Sequence, residues 1–354
     1  MPVTAATYAR IAELPLVVEE VTSERVSALV SNGMERVTTL VRLSGGGHEG
    51  LGEDVTYEAD DHDMLEGTGG LPDLSGRWTV DSLSAHLDEV DLFPAPPERE
   101  ISRSFRRWGV ESAALDLALR QAGAPLHEVL GIEPRPVRFV VSMRLGEPPT
   151  ILPVERWLAI DPDLRFKLDA TPDWDDVLIA RLRETGAVDS VDLKGMYTGT
   201  IVDRGADPAL YRRVAEGLPG VWIEDPRLDP ETRAALAGHE DRITWDAPIH
   251  SVADVEALPF PPRTVNVKPS RFGSLKALMA CYDHLAAHGI GAYGGGQYEL
   301  GPGRGQIQYL ASLFHPDGPN DTAPTGYNLP EPAPGLPRSP LAPEPHATGF
   351  RWGP

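Results

Sequence analysis

Val221-Trp222-Ile223-Glu224-Asp225-Pro226, a helical stretch over 230–237, then Ile243-Thr244-Trp245-Asp246, a helical stretch over 252–258, then Thr264-Val265-Asn266-Val267-Lys268-Pro269: this run decides the fold. Each apolar segment is short and ends in charged residues, and each is separated from the next by an amphipathic helix. Such alternation predicts parallel strands joined by crossover helices. Working outward, the same rhythm begins near residue 136. Strands are predicted over 137–143, 164–168, 190–193, 221–223, 243–245, 264–267 and 291–294, with a weak eighth over 322–327. The intervening helices are predicted over 175–185, 208–216, 230–237, 252–258, 274–288 and 304–314. Eight strands in roughly 190 residues suit a closed α/β barrel better than an open doubly wound sheet. No Gly-x-Gly-x-x-Gly fingerprint follows the first strand, which argues against a nucleotide-binding sheet.

Upstream, residues 16–58 alternate like a small antiparallel sheet, with Ser44-Gly45-Gly46-Gly47 as a hairpin connection. Residues 59–75 carry Asp60-Asp61-His62-Asp63 and three glycines, and read as a loop. That acidic run is either a solvated face or a selector for a cationic substrate. Helices are predicted over 80–90 and 102–122, the second with Val110, Ala113, Ala114, Leu117 and Ala118 at helical spacing and Gly123 as its stop.

The chain has 354 residues and a formal net charge of −21. That charge repels phosphate backbones and anionic lipid, so nucleic acid and membrane surfaces are not expected partners. The single cysteine, Cys281, excludes an intrachain disulfide and a multi-cysteine zinc site. No run approaches the roughly 20 apolar residues of a membrane span, and no basic stretch precedes an apolar leader, so a cytoplasmic protein is expected.

Barrels of this kind carry their chemistry at the carboxyl ends of the strands. There the sequence places Lys167-Leu168-Asp169, Asp192-Leu193-Lys194, Glu224, Asp246, Lys268 with Arg271, and Gln297-Tyr298-Glu299. Residues two apart on a strand share a face, so Lys167 and Asp169 point together, as do Asp192 and Lys194. Asp192, Glu224 and Asp246, one from each of three adjacent strands, suit a hard divalent ion such as Mg²⁺. Lysines flanking them suggest proton transfer beside a metal-held anion. Among the histidines, His62, His250 and His315 are candidates for acid–base work, His250 foremost because it follows strand five. Gly301-Pro302-Gly303-Arg304-Gly305 opens a helix and forms either a tight turn or an anion cradle. Gln306, Gln308 and Tyr309 read as packing or solvent positions.

In these motifs the chain resembles the enolase superfamily, in its muconate-lactonizing-enzyme-like branch. Gly50-Leu51-Gly52-Glu53 looks like that family's capping-domain hairpin. Glu111-Ser112-Ala113-Ala114-Leu115-Asp116-Leu117 looks like its long helix before the barrel. Trp222-Ile223-Glu224-Asp225-Pro226, Thr244-Trp245-Asp246, Asn266-Val267-Lys268-Pro269-Ser270-Arg271 and Gly294-Gly295-Gly296-Gln297-Tyr298-Glu299 resemble its strands four to seven, in order. The resemblance implies an N-terminal α+β capping domain (1–133) and a modified (β/α)8 TIM-type barrel (134–329); the Pro-rich tail (330–354), with Phe350 and Trp352 as aromatic anchors, reads either as a segment packed on the surface or as a peptide ligand for a partner. The resemblance also implies Mg²⁺, with Mn²⁺ as an alternative, held by Asp192, Glu224 and Asp246. The implied reaction removes a proton next to the carboxylate of a small acid through a metal-stabilised enolate, as a racemase or epimerase, a cycloisomerase or a dehydratase. Lys268 and either Lys167 or Lys194 are the expected bases, while Glu299, Gln297 and Arg271 orient substrate or support the site. A homo-oligomer is also implied.

Two positions depart from the family pattern. Strand two commonly ends Lys-x-Lys, but here it ends Lys167-Leu168-Asp169; strand three commonly carries Asp-x-Asn, but here it reads Asp192-Leu193-Lys194. Either a lysine lost at Asp169 returns as Lys194 on the next strand, paired with Asp169 by Coulomb attraction of about 4 kcal/mol before desolvation is subtracted, or Lys167 itself is the base. A second reading follows from the same departure: a homologue without catalysis that serves as a binding or structural protein. The position of Lys194 relative to the metal site separates the two.

Overall fold

In the computed structural model, which describes residues 6–31, 33–197, 203–329 and 331–353, the chain forms a capped α/β barrel. The amino-terminal part holds β1 (Pro15–Val18), β2 (Glu20–Leu29), β3 (Glu35–Gly45), β4 (His48–Asp54) and β5 (Gly76–Thr79). β2, β3 and β4 form an antiparallel sheet in that order, and β1 pairs with β5. The predicted hairpin falls at Gly46 and Gly47, both with the positive φ that such a tight turn needs.

The long helix Ile101–Ala122 lies against β4. Its predicted face is buried, and Gly123 ends it in a left-handed conformation. Helix and strand approach so closely that glycine is required on both sides: a Cβ on Gly52 would lie 2.0 Å from the Gly109 carbonyl oxygen, and one on Gly50 would lie 2.2 Å from that of Ala113. The glycines of the Gly50-Leu51-Gly52 motif therefore serve helix packing.

The barrel consists of β6 (Val141–Arg144), β7 (Phe166–Asp169), β8 (Val188–Asp192), β9 (Trp222–Glu224), β10 (Ile243–Thr244), β11 (Thr264–Val267) and β12 (Gly291–Gly294). β6 to β10 form one parallel sheet in chain order. The Asn266 N–H donates to the Trp245 carbonyl (2.9 Å) and carries the ring on to β11, which pairs in parallel with β12.

The eighth stave differs from its predicted place. It is the short segment at Asn320 and Asp321: the Asp321 N–H donates to Gly294 and the Val140 N–H donates to Asn320, each at 2.8 Å. Thr325–Asn328 is a 3-10 turn. The Asn320 side chain fixes this seam, accepting from the Gly294 N–H (2.6 Å) and donating to the Arg138, His315 and Gly318 carbonyls. Two backbone hydrogen bonds and the Asn320 side chain make the closure, so no hydrophobic run marks it.

The acidic segment predicted as a loop contains a helix, Ala59–Gly67. Asp60 and Asp61 in its first turn complement the positive end of the helix dipole. Asp61, His62 and Leu65 are buried, so His62 belongs to the interior of the cap. Too few apolar residues mark that face for periodicity to show it.

The tail's first and last residues, Pro330 and Pro354, lie outside the described residues. Its far end is anchored: Phe350 is buried against Trp108 and Tyr309, and Asp116 accepts from the Phe350 N–H and from Arg351 (both 2.8 Å). Among the described residues no helix is long and apolar enough to cross a membrane.

Candidate active site

The strand ends converge as their register dictates. Arg144, Asp169, Asp192 and Glu224 are successive partners on β6, β7, β8 and β9. Asp246 lies two residues beyond β10, and Lys268 one beyond β11. Ligand atoms of Asp192, Glu224, Asp225 and Asp246 lie within 4.8 Å of one another, and all four residues are buried.

The carboxylates have different tasks. Both oxygens of Asp225 accept backbone N–H groups, from Asp246 and Ala247, at 2.8 Å each. Asp225 thus braces the chain that presents Asp246. Burial, reinforced by Asp192 and Asp246, pushes its carboxyl up to about 7. Asp192, Glu224 and Asp246 face the surrounding cations. Lys167 Nζ bonds to Glu224 and lies 3.7 Å from Asp192. Tyr293 donates its hydroxyl to the other Glu224 oxygen. Lys194 Nζ bonds to Asp192 and lies 3.2 Å from Asp169. Asp246 accepts from Lys268 (2.9 Å), Arg271 (2.8 Å) and the Tyr197 hydroxyl (2.8 Å). Arg271 reaches back because Pro269 starts the one-turn helix Pro269–Phe272 directly after Lys268.

The charges follow from these contacts. Burial opposes the charge on Asp246, but Arg271 and Lys268 outweigh it and hold the carboxyl well below the usual range. Burial and the neighbouring carboxylates push Glu224 well up. Burial also opposes the ammonium on Lys167 and Lys194, yet their acidic partners hold both well above the ordinary lysine range. Lys268 goes the other way: burial, with Arg271 and Lys167 nearby, lowers it despite Asp246. A lysine lowered in this way is suited to accept a proton.

Strain is concentrated at the same place. The non-glycine residues with left-handed backbone are Lys194 (φ 52°), Asp225 (φ 52°) and Tyr298 (φ 56°), among the described residues. Each follows a barrel strand on this face. Such residues cost about 1–3 kcal/mol each and cluster where function requires it.

Of Gln297 and Glu299, expected to orient substrate, the first bonds toward the cap and the second to the last barrel helix. Tyr57 donates to Gln297 Oε1 (2.8 Å), and Glu299 pairs with Arg304 (3.1 Å). Among the described residues neither bonds to the carboxylate cluster. The glycine-rich turn before the last helix is not open to an external anion. Glu53, fully buried in the cap, accepts the N–H groups of Leu300 (2.6 Å), Gly301 (3.0 Å) and Gly303 (3.0 Å), with Thr38 on its other side. The protein's own carboxylate fills the cradle because helix N-termini attract anions whatever their source.

The three candidate histidines make their hydrogen bonds away from the carboxylate cluster. His62 bonds to Thr39 and to the Thr56 carbonyl, His250 to the Ala247 carbonyl, and His315 to Asn320 and Tyr282. Gln306 donates to the Leu51 carbonyl, Gln308 to that of Thr322, and Tyr309 meets His127, as packing positions should. Sequence reasoning missed Tyr197 and Tyr293, whose hydroxyls reach Asp246 and Glu224; nothing in their local sequence distinguishes them from core aromatics.

The donor set suits a hard divalent cation. Its ligand atoms are carboxylate oxygens, which match Mg²⁺ or Mn²⁺ rather than a soft metal. The same chamber holds orphaned polar groups: the Ser190 hydroxyl, two residues before Asp192, and both polar atoms of Asn266, two before Lys268, are buried without a hydrogen-bond partner.

A capped α/β barrel carries its chemistry at the carboxyl face, where these buried acids lie, and known proteins share this architecture. Muconate cycloisomerase from Pseudomonas fluorescens superposes with a TM-score of 0.67 at 20% identity, covering 96% of this chain and 95% of that one. A dipeptide epimerase from Methylococcus capsulatus, complexed with a Mg ion, superposes at 0.61 with 20% identity, covering 89% and 88%. In sequence, an N-succinylamino acid racemase from Thermus thermophilus is 30% identical over 333 residues, 86% of this chain and 81% of that protein. Two family models also match: the N-terminal domain of a domain of unknown function (DUF8230) over residues 9–129, and its C-terminal domain over 133–329. The chain belongs to the enolase superfamily of enzymes and, within it, to this DUF8230 family.

Proposed function

We propose that this chain is a Mg²⁺-dependent isomerase that removes the proton α to a carboxylate, acting as a racemase or epimerase on an N-acylated amino acid or a dipeptide. The carrying observation is the bracketing of one carboxylate row by lysines from both ends, Lys194 beside Asp192 and Lys268 beside Asp246. Asp192, Glu224 and Asp246 would hold the ion, with Mn²⁺ as a substitute. Bound there, a divalent ion supplies the fixed positive charge that a carboxylate needs before it can give up an α-proton. Lys268 stands ready to take that proton at Nζ, with Arg271 and Tyr197 fixing Asp246 beside it. The cap closes the chamber above, tied to the barrel by Glu53 and by Arg36, which donates to the Gln297 carbonyl (3.1 Å). The names of the Thermus and Methylococcus relatives point to the N-acylamino acid and dipeptide classes.

The test is α-proton exchange in D₂O with Mg²⁺. A panel of N-succinyl and N-acetyl amino acids and of dipeptides is incubated with the protein, and deuterium uptake is read by mass spectrometry. The proposal expects uptake from at least one class, lost in Lys268→Ala for the enantiomer whose α-proton that lysine takes. No uptake from any member, with Mg²⁺ shown to bind, would refute it.

A further inference from the structure

The strand-two and strand-three ends carry an acid and a base in the reverse of the order that the resemblance implies. Asp169 stands where the family pattern has its second lysine, and Lys194 stands where it has an asparagine. Asp169 and Asp192 are direct partners in the β7–β8 register, so the exchange takes place between adjacent strand ends.

The geometry shows what the exchange does. The left-handed backbone at Lys194 (φ 52°) folds the residue back on its own strand, with its N–H donating to Asp192 Oδ1 at 2.9 Å. Its Nζ is held by Asp192 Oδ2 and, from β7, by Asp169 Oδ1 at 3.2 Å. The ring of Tyr197 lies 5.0 Å from the same nitrogen. Asp169 lies outside the four-carboxylate cluster, and its other oxygen faces Arg144 (3.4 Å).

Lys167 is placed differently. It lies two residues deeper along β7 than Asp169, its Nζ is bonded to Glu224, and its side chain is only 2% exposed. The Lys194 side chain is 14% exposed. Of the two lysines on this side, Lys194 is the one that opens toward the barrel mouth.

We infer that Lys194 is the second proton-transfer group of this site, held by Asp169 as a positioning residue, and that the exchange moves the lysine of strand two onto strand three. The inference rests on the α-proton chemistry proposed above and names the residue serving the second face. In one direction the substrate Cα–H bond breaks and the proton passes to the unprotonated amine of Lys268. The electron pair moves into the substrate's own carboxylate. An N–H bond of the Lys194 ammonium then breaks as the new Cα–H bond forms on the opposite face. The reverse direction exchanges the two lysines' roles. Lys167 takes no part in the transfer and offsets the charge of Glu224.

The experiment follows each enantiomer separately. The D and L forms of N-succinylphenylalanine are incubated with the Mg²⁺-loaded protein in D₂O, and loss of the α-proton signal is followed by NMR. For Lys194→Ala the inference expects exchange of one enantiomer to persist and that of the other to fall at least about 100-fold, the usual range for a lost general acid or base. Lys268→Ala should show the mirror pattern, and Lys167→Ala should affect both enantiomers alike. Asp169→Asn should lower kcat for the Lys194-dependent enantiomer with little change in KM. The double variant Asp169→Lys with Lys194→Asn, which restores the family order, should recover part of that exchange. Calorimetry of Mg²⁺ binding to Lys194→Ala should give a Kd no weaker than that of the unmodified protein. Lys194→Ala that exchanges both enantiomers, or loses Mg²⁺ binding together with both, would overturn the inference while leaving the parent proposal standing. So would Lys167→Ala losing one enantiomer selectively. Failure of the unmodified protein to exchange any member of the wider panel would overturn both.

Discussion

Removing Glu53 should uncouple the cap from the barrel. Its carboxylate is fully buried and accepts four hydrogen bonds, from the N–H groups of Leu300, Gly301 and Gly303 and from the Thr38 hydroxyl. Burial and the nearby Glu299 push its pKa up, so part of what these bonds contribute is offset by the cost of placing charge there. Glu53→Ala leaves buried donors without an acceptor, and breaking a buried charged contact by deleting one partner costs about 3–5 kcal/mol. With an unfolding entropy of about 2.1 cal/mol/K per residue, the 354-residue chain unfolding as one unit would lose about 5 °C in Tm. If the capping part, about 130 residues long, melts separately, the loss is about 15 °C for that transition. Glu53→Gln should fall between, because its amide keeps one acceptor but turns an N–H toward other donors. Scanning calorimetry of the metal-free protein makes the measurement. A Tm for Glu53→Ala within about 1 °C of the parent would refute the view that this carboxylate holds the seam.

Other outcomes follow from the same contacts. His315 is buried, and burial lowers its pKa to about 4 from 6.5. Between those values the unfolded chain takes up a proton that the folded chain refuses. Stability from this group is complete above pH 6.5 and falls by about 3 kcal/mol as the pH drops to 4. His315→Gln should flatten the Tm–pH curve in that window. Mg²⁺ at about a hundredfold its Kd should add about 2.7 kcal/mol and raise Tm by about 4 °C. EDTA should reverse that gain, and Glu224→Gln should abolish it.

Most of the barrel was legible because its strands are short apolar runs ending in charge: 264–267 and 291–294 match β11 and β12 residue for residue. The carboxylates were legible for the same reason, since Asp192, Glu224 and Asp246 each follow such a run. What escaped lacked a local pattern. The eighth stave depends on two backbone hydrogen bonds and the Asn320 side chain rather than on apolar residues. The helix Ala59–Gly67 buries an acid and a histidine instead of a hydrophobic stripe. The Gly301–Gly303 cradle could be recognised as anion-binding, but its occupant, Glu53, is some 250 residues away in sequence. The bracing role of Asp225 depends on which N–H groups its oxygens reach, and spacing carries no information about that.

The most direct test of the account is a crystal of the protein grown with Mn²⁺ and measured at an anomalous wavelength. The account expects one strong peak about 2.1 Å from carboxylate oxygens of Asp192, Glu224 and Asp246, as hard octahedral ligation requires. An ordered cluster with no peak, in which Lys167 still bonds to Glu224 and Lys194 to Asp192, would contradict it.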